Sequence, residues 1–242
     1  MTTGPLRLLL DGLHFGEGPR WRDDRLYLSD FYDHAVKAVT MDGEVTTVVE
    51  VPTQPSGLGW LPDGRMLIVS MVDRKVLRLE AGGLVEHADL SAIATFHCND
   101  MVVDALGRAY VGNFGFDLDG FVTEHGLRAA LGDPGPPRAT LARVDPDGSV
   151  HEAAPGLRFP NGAVITPDGS TLIVAETMGR RLSAFDVGAD GSLSNQRVWA
   201  SFDRRLPDGI CLDAEGRVWV ANPAAAECVL VAGDDGGPGE VV

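Results

Sequence analysis

"FPNGAVITPDGSTLIVAET", Phe159–Thr177, puts a polar amide, Asn161, at the head of an apolar strand. A Pro-Asp-Gly corner follows, then a second apolar strand that ends on the carboxylate of Glu176. Asp168-Gly169 supplies the turn chemistry that joins two antiparallel strands tightly, because glycine takes positive φ at little steric cost. Four more phrases share this grammar: "EGPRWRDDRLYLSD" from Glu17, "SGLGWLPDGRMLIVS" from Ser56, "NDMVVDALGRAYVGN" from Asn99 and "DGICLDAEGRVWVAN" from Asp208. Their starts lie 39, 43, 62 and 47 residues apart along the chain. Further apolar strands follow each pair, such as "KAVTM", "KVLRLE", "TLARVD", "RLSAFDV" and "CVLVA". Several short strands per repeat of this length describe the blade of a β-propeller. A parallel α/β sheet would need amphipathic helices of roughly 10–15 residues between its strands, and the sequence has none.

Composition agrees with many short elements and tight turns: 30 Gly and 15 Pro among 242 residues, with 44% hydrophobic. The whole chain, 1–242, reads as one propeller domain with an inserted loop at about 113–140, where "EHGLRAAL" suggests a helical turn. Five phrases are visible and a sixth is absent or incomplete. The amino-terminal "LRLLLD" is expected to complete the last blade, as such orphan strands do in closed rings. Trp21, Trp60, Trp199 and Trp219 are expected to pack between blades, and "DPDGSV" and "DLDG" read as turns.

A net charge of −15 argues against nucleic acid, which demands a basic surface. No stretch has the length and apolarity of a membrane span or leader. Three cysteines without close pairing, Cys98, Cys211 and Cys228, suggest neither a disulfide framework nor a thiolate metal site, so a cytoplasmic location is expected. The acidic balance favours cations and neutral ligands over polyanions.

Blades related by rotation place equivalent residues in a ring around the axis. The equivalent positions are Glu17, Ser56, Asn99, Asn161 and Asp208, all carrying side-chain oxygen. Such carboxylates and amides would resist dehydration together unless a cation sat among them. Oxygen donors without Cys or His point to a hard divalent ion, Ca2+ first, then Mg2+ or Mn2+, with Zn2+ also open. The competing reading makes each residue a local strand cap.

The ordered set "GEGPRW", "CNDMVVDALGRAYVGN", "FPNGAVITPDGSTLIVAET" and "LPDGICLDAEGRVWVAN" resembles the senescence marker protein (regucalcin), gluconolactonase and luciferin-regenerating enzyme family over nearly the whole chain. The resemblance implies a six-bladed propeller with one divalent metal near the channel mouth. Many members open cyclic sugar esters and some cleave organophosphates. It implies Glu17, Asn161 and Asp208 as metal ligands, Asp208 as the group that also activates water, and Asn99 as a substrate or metal neighbour. Family members often carry Arg where this sequence has His97, which would contact substrate, and Asp117 matches loosely an acid expected in the same blade.

The function expected is therefore divalent-metal-dependent hydrolysis of a lactone or related cyclic ester, the partner being that small molecule. A phosphotriester substrate is the alternative within enzymes. A non-catalytic, metal-stabilised interaction scaffold is the alternative outside them. No H-E-x-x-H, G-x-S-x-G or P-loop motif is present.

Overall fold

The computed structural model describes residues 7–232 and the backbone of residues 240–241. Five antiparallel four-stranded sheets follow one another along the chain. Blade 1 comprises β1 (Gly16–Arg22), β2 (Arg25–Asp30), β3 (Ala35–Thr40) and β4 (Val45–Glu50). Blade 2 comprises β5 (Pro55–Trp60), β6 (Met66–Ser70), β7 (Lys75–Glu80) and β8 (Gly83–Asp89). In blade 3, β9 (Cys98–Val103) and β10 (Ala109–Asn113) lead into α1 (Leu118–His125) and α2 (Leu127–Ala130), and β11 (Ala139–Val144) and β12 (Val150–Leu157) follow. Blade 4 is β13 (Pro160–Ile165), β14 (Thr171–Glu176), β15 (Arg181–Val187) and β16 (Leu193–Ser201). Blade 5 is β17 (Ile210–Leu212), β18 (Val218–Asn222), β19 (Glu227–Val231) and β20 (Glu240–Val241).

Each sheet runs in sequence order, and the first strands β1, β5, β9, β13 and β17 contact one another in succession. This is a β-propeller with five described blades, where six were expected. The core is divided accordingly. Val36, Leu58 and Ile68 pack blade 1 on blade 2; Leu67, Met101 and Val111 pack blade 2 on blade 3. Tyr110, Ala163 and Leu172 join blades 3 and 4, and Val164, Ile173 and Val220 join blades 4 and 5. Among the described residues no such cluster joins blade 5 back to blade 1. That seam explains the tryptophans: Trp60 and Trp199 pack between blades as expected, whereas Trp21 is exposed and Trp219 lines a cavity.

Two further expectations are corrected. Residues 7–13 form no strand; Arg7 Nη2 donates to Met41 O beside the β3–β4 turn of blade 1. (Leu6 lies outside the described residues.) The fourth strand of blade 5 is instead β20, paired with β19. "DLDG" begins α1, with Asp117 as its N-cap accepting from Gly120 N at 3.0 Å, so it is not a hairpin turn. "DPDGSV" is a turn, closed by Ser149 N donating to Asp147 Oδ1 at 3.0 Å. Equivalent bonds to Asp63, Asp104, Asp168 and Asp213 show that much of the acidic charge is corner chemistry. No helix among the described residues is long and apolar enough to cross a membrane.

The polar residue that ends each second strand is structural. Asp30, Ser70, Asn113, Glu176 and Asn222 are all buried. Three of them accept from the backbone just ahead of the same blade's first strand: Asp30 from Phe15 N at 2.8 Å, Glu176 from Arg158 N at 2.8 Å and Asn222 from Leu206 N at 3.1 Å. The first strand's leading residue is thereby held in place. Burial alone would raise the Asp30 pKa, but the Lys37 ammonium at 2.8 Å and two backbone donors hold it below the usual carboxylate value. Its contribution is present above the ordinary carboxylate pKa and lost as pH falls through the lowered one. Asp30→Asn should cost about 3 kcal/mol in denaturant unfolding at neutral pH, because Lys37 loses its buried partner. A change below about 0.5 kcal/mol, the size of an ordinary surface substitution, would contradict this role.

Candidate functional site

The hairpin registers align the blades residue by residue. Pro55 opposite Ser70, Cys98 opposite Asn113 and Pro160 opposite Glu176 make Ser56, Asn99 and Asn161 equivalent, with Glu17 opposite Ser29 in blade 1. A bulge follows each of these residues, where the register slips before regular pairing resumes. The next residue is glycine in blades 1, 2, 4 and 5. In blades 1, 2 and 4 the reason is close approach: a Cβ at Gly18 would stand 2.8 Å from Ser56 O, one at Gly57 2.4 Å from Met101 N, and one at Gly162 2.5 Å from Asp208 O. Gly162 N donates to Asp208 O at 3.2 Å, so blades 4 and 5 are bonded through their leading residues.

Glu17 and Asp208 both line one cavity of about 930 Å³, at the seam between blade 1 and blade 5. Two more acids line it, Asp100 and Glu227, the latter paired with Arg205 at 2.8 Å, together with Arg20 and Trp219. Asn161 is buried behind it; its Nδ2 donates to Thr177 Oγ1 at 3.0 Å, and Thr177 Oγ1 donates to Pro207 O at 2.7 Å. The Asn161 side chain is also hydrogen-bonded to the Asp208 carboxyl. With Nδ2 used as donor, the amide offers Oδ1 as an acceptor. Asn99 is buried, and neither its Oδ1 nor its Nδ2 has a hydrogen-bond partner among the described residues. An orphaned buried amide is costly, and a ligand or a water at this place would complete its bonding.

Electrostatics follow from this crowding. Desolvation, then the charges of Asp100 and Asp208, push the Glu17 pKa up to about 9. Desolvation and the Asp100 charge push Asp208 up to about 6, against the Asn161 hydrogen bond. Burial raises Asp100 as well, opposed by Arg20. Desolvated carboxylates with carbonyl-type oxygen and no thiolate fit a hard cation.

His97 and Asp117 stand apart from that cavity's lining. The His97 ring stacks on Phe96 with centroids 4.2 Å apart and tilts against Phe114 at 6.0 Å. Desolvation lowers its pKa, and the nearby Asp117 charge opposes that. Asp117 is occupied as the cap of α1, while the insertion packs Phe116 and Ala130 onto Phe159 and Met178. Ser56 is buried, and its carbonyl accepts from Ser29 Oγ at 2.7 Å. Sequence reasoning missed Asp100, which stands one residue past the leading position. Its signal was the one phrase, "ND", in which an acid replaces glycine.

A compact acidic group elsewhere, His14, Asp30 and Asp33, has its donor atoms within 4.8 Å of one another. Lys37 Nζ already lies 2.8 Å from Asp30 and 2.7 Å from Asp33 there, which gives that group its counter-charge. The cavity acids are spread more widely around their space.

The profile described as "SMP-30/Gluconolactonase/LRE-like region" matches residues 15–238. The chain belongs to that family. It is 27% identical over 229 residues to a pentonolactonase of Haloferax volcanii, covering 89% of this chain and 69% of the relative. To regucalcin of Danio rerio it is 26% identical, covering 85% and 67%. Its fold matches a gluconolactonase structure from Xanthomonas campestris with a TM-score of 0.73 at 26% identity, over 96% of this chain and 76% of that one. A luciferin-regenerating enzyme shares the fold at a TM-score of 0.79, 21% identity, and 97% and 78% coverage.

The raised carboxyl pKa values set a pH dependence for the metal-free protein. Folding then takes up protons, so stability falls as pH rises from the ordinary values of 3.8 and 4.5 toward about 6 for Asp208 and about 9 for Glu17. Melting temperatures with chelator should decline across that range, and Glu17→Gln should flatten the decline. An equally steep decline in Glu17→Gln would contradict the assignment.

Proposed function

We propose that this protein is a divalent-metal-dependent hydrolase that opens a lactone or related cyclic ester. The observation that carries the reading is the meeting of Glu17 and Asp208, with Asn161 bonded to Asp208, at one cavity. The names pentonolactonase and gluconolactonase among its relatives support an ester ring as substrate.

A divalent cation held by Glu17, Asn161 and Asp208 would polarise the ester carbonyl and offset the acids' mutual repulsion. Calcium suits the oxygen-only donor set best. Asp208 is assigned the proton from the attacking water, since one carboxylate oxygen serves there while the other remains free to bind. Asn161, braced by Thr177, steadies Asp208 for that task. Asn99, with its unpaired amide, is assigned to orient a ring oxygen or hydroxyl of the substrate. His97 and Asp117 are assigned to the outer contacts. His97, kept neutral by desolvation among aromatic rings, suits an uncharged lactone better than one bearing a carboxylate.

A panel of five- and six-membered lactones beside a paraoxon-like triester tests the reading. Lactone turnover should disappear on exhaustive chelation and return with Ca2+. Glu17→Gln and Asp208→Asn should each lower kcat/KM by roughly 100-fold or more. Full lactone turnover in a Glu17→Ala, Asp208→Ala double variant would remove the proposal, and turnover of the triester alone would move it to phosphoryl chemistry.

A further inference from the structure

Asp100 occupies the position that is glycine in every other blade: Gly18, Gly57, Gly162 and Gly209. At Gly18, Gly57 and Gly162 a neighbouring first strand approaches too closely for a side chain, a Cβ there standing 2.8, 2.4 and 2.5 Å from its backbone, whereas Gly209 has nothing within 4 Å. Blade 3 alone carries a side chain at this register, and that side chain is a carboxylate. It is only 4% exposed and lines the cavity with Glu17 and Asp208.

No hydrogen bond to this carboxylate is found among the described residues, and no ion pair compensates it. The cation nearest in influence, Arg20, is tied elsewhere: Nη2 donates to Met101 O at 2.7 Å and Nη1 to Pro19 O at 2.9 Å. Asn99, its neighbour in sequence, is 5% exposed with both amide atoms unpaired. A charge so placed without a partner is strongly unfavourable: the carboxyl either stays neutral or takes a counter-charge from outside the chain.

We infer that Asp100 is a third acid of the cation seat and sets its charge preference, raising the affinity for more highly charged ions above what Glu17 and Asp208 alone would give. This rests on the cation reading of Glu17, Asn161 and Asp208 given above. Three carboxylates give the seat a formal charge of −3, and Coulomb attraction scales with the product of the charges. The third acid therefore strengthens binding of a 3+ ion more than of a 2+ ion. Among divalent ions it favours those that accept many oxygens over those that demand four or six in fixed geometry.

Trp219 lines the same cavity and serves as the antenna for terbium luminescence. Terbium titrations of the full chain, followed by calcium competition, yield both affinities and their ratio. In Asp100→Asn the terbium-to-calcium affinity ratio should fall by roughly tenfold. The metal-free protein should melt at a higher temperature, since an uncompensated buried carboxyl is gone. Asp100→Gly, which puts there the residue of the other four blades, repeats the measurement should the first variant fail to fold. A ratio within about twofold of the parent in both Asp100 variants, while Glu17→Gln and Asp208→Asn abolish binding, overturns the role of Asp100 and leaves the cation seat standing. Unchanged terbium affinity in Glu17→Gln and Asp208→Asn overturns the cation reading itself.

Discussion

The constraint on which this site depends is repulsion between carboxylates that have lost their water. Glu17, Asp100 and Asp208 come from three different blades and line one cavity. Each is pushed toward its neutral form by burial, and Glu17 and Asp208 also by the charge of Asp100. A propeller can impose this arrangement because the strands carrying the acids are fixed by packing elsewhere. The cost at the cavity is offset by the apolar interfaces between successive blades.

Two backbone devices bring the leading residues together. Glycine after the leading residue lets neighbouring first strands touch, and the buried polar residue ending each second strand grips the loop ahead of the first. The second device gives Asp30, Glu176 and Asn222 the role of holding the backbone, although they are polar and at least as buried as the site residues. Burial and charge alone therefore do not separate the two sets. Their contacts do: Glu17 and Asp208 open onto the cavity, whereas these three spend oxygens on backbone N–H groups.

The repeat phrase made the fold class legible, since its turn chemistry and strand lengths are local properties written in adjacent residues. It also made Glu17, Asn161 and Asp208 equivalent by their shared place at the head of the phrase. Blade number was less legible, because ring closure depends on contacts between the two ends of the chain. The stretch Leu6–Asp11 looked like a closing strand by hydrophobicity, yet its described part, Arg7–Asp11, runs beside blade 1 while β20 completes blade 5. Asp100 escaped notice because each phrase was read at its first polar residue. What singles it out is steric: only the crowding around Gly57 and Gly162 reveals that a side chain at this register is exceptional. Asp117 fitted a pattern loosely, and in the structure its carboxylate caps α1.

Anomalous diffraction from crystals grown with Mn2+ locates a bound cation without reference to activity. Convergence of the blades' oxygens on one ion predicts a single strong peak bounded by Glu17, Asn161 and Asp208. A peak beside Asp30 and Asp33 instead, or none at the cavity at saturating metal, would contradict it.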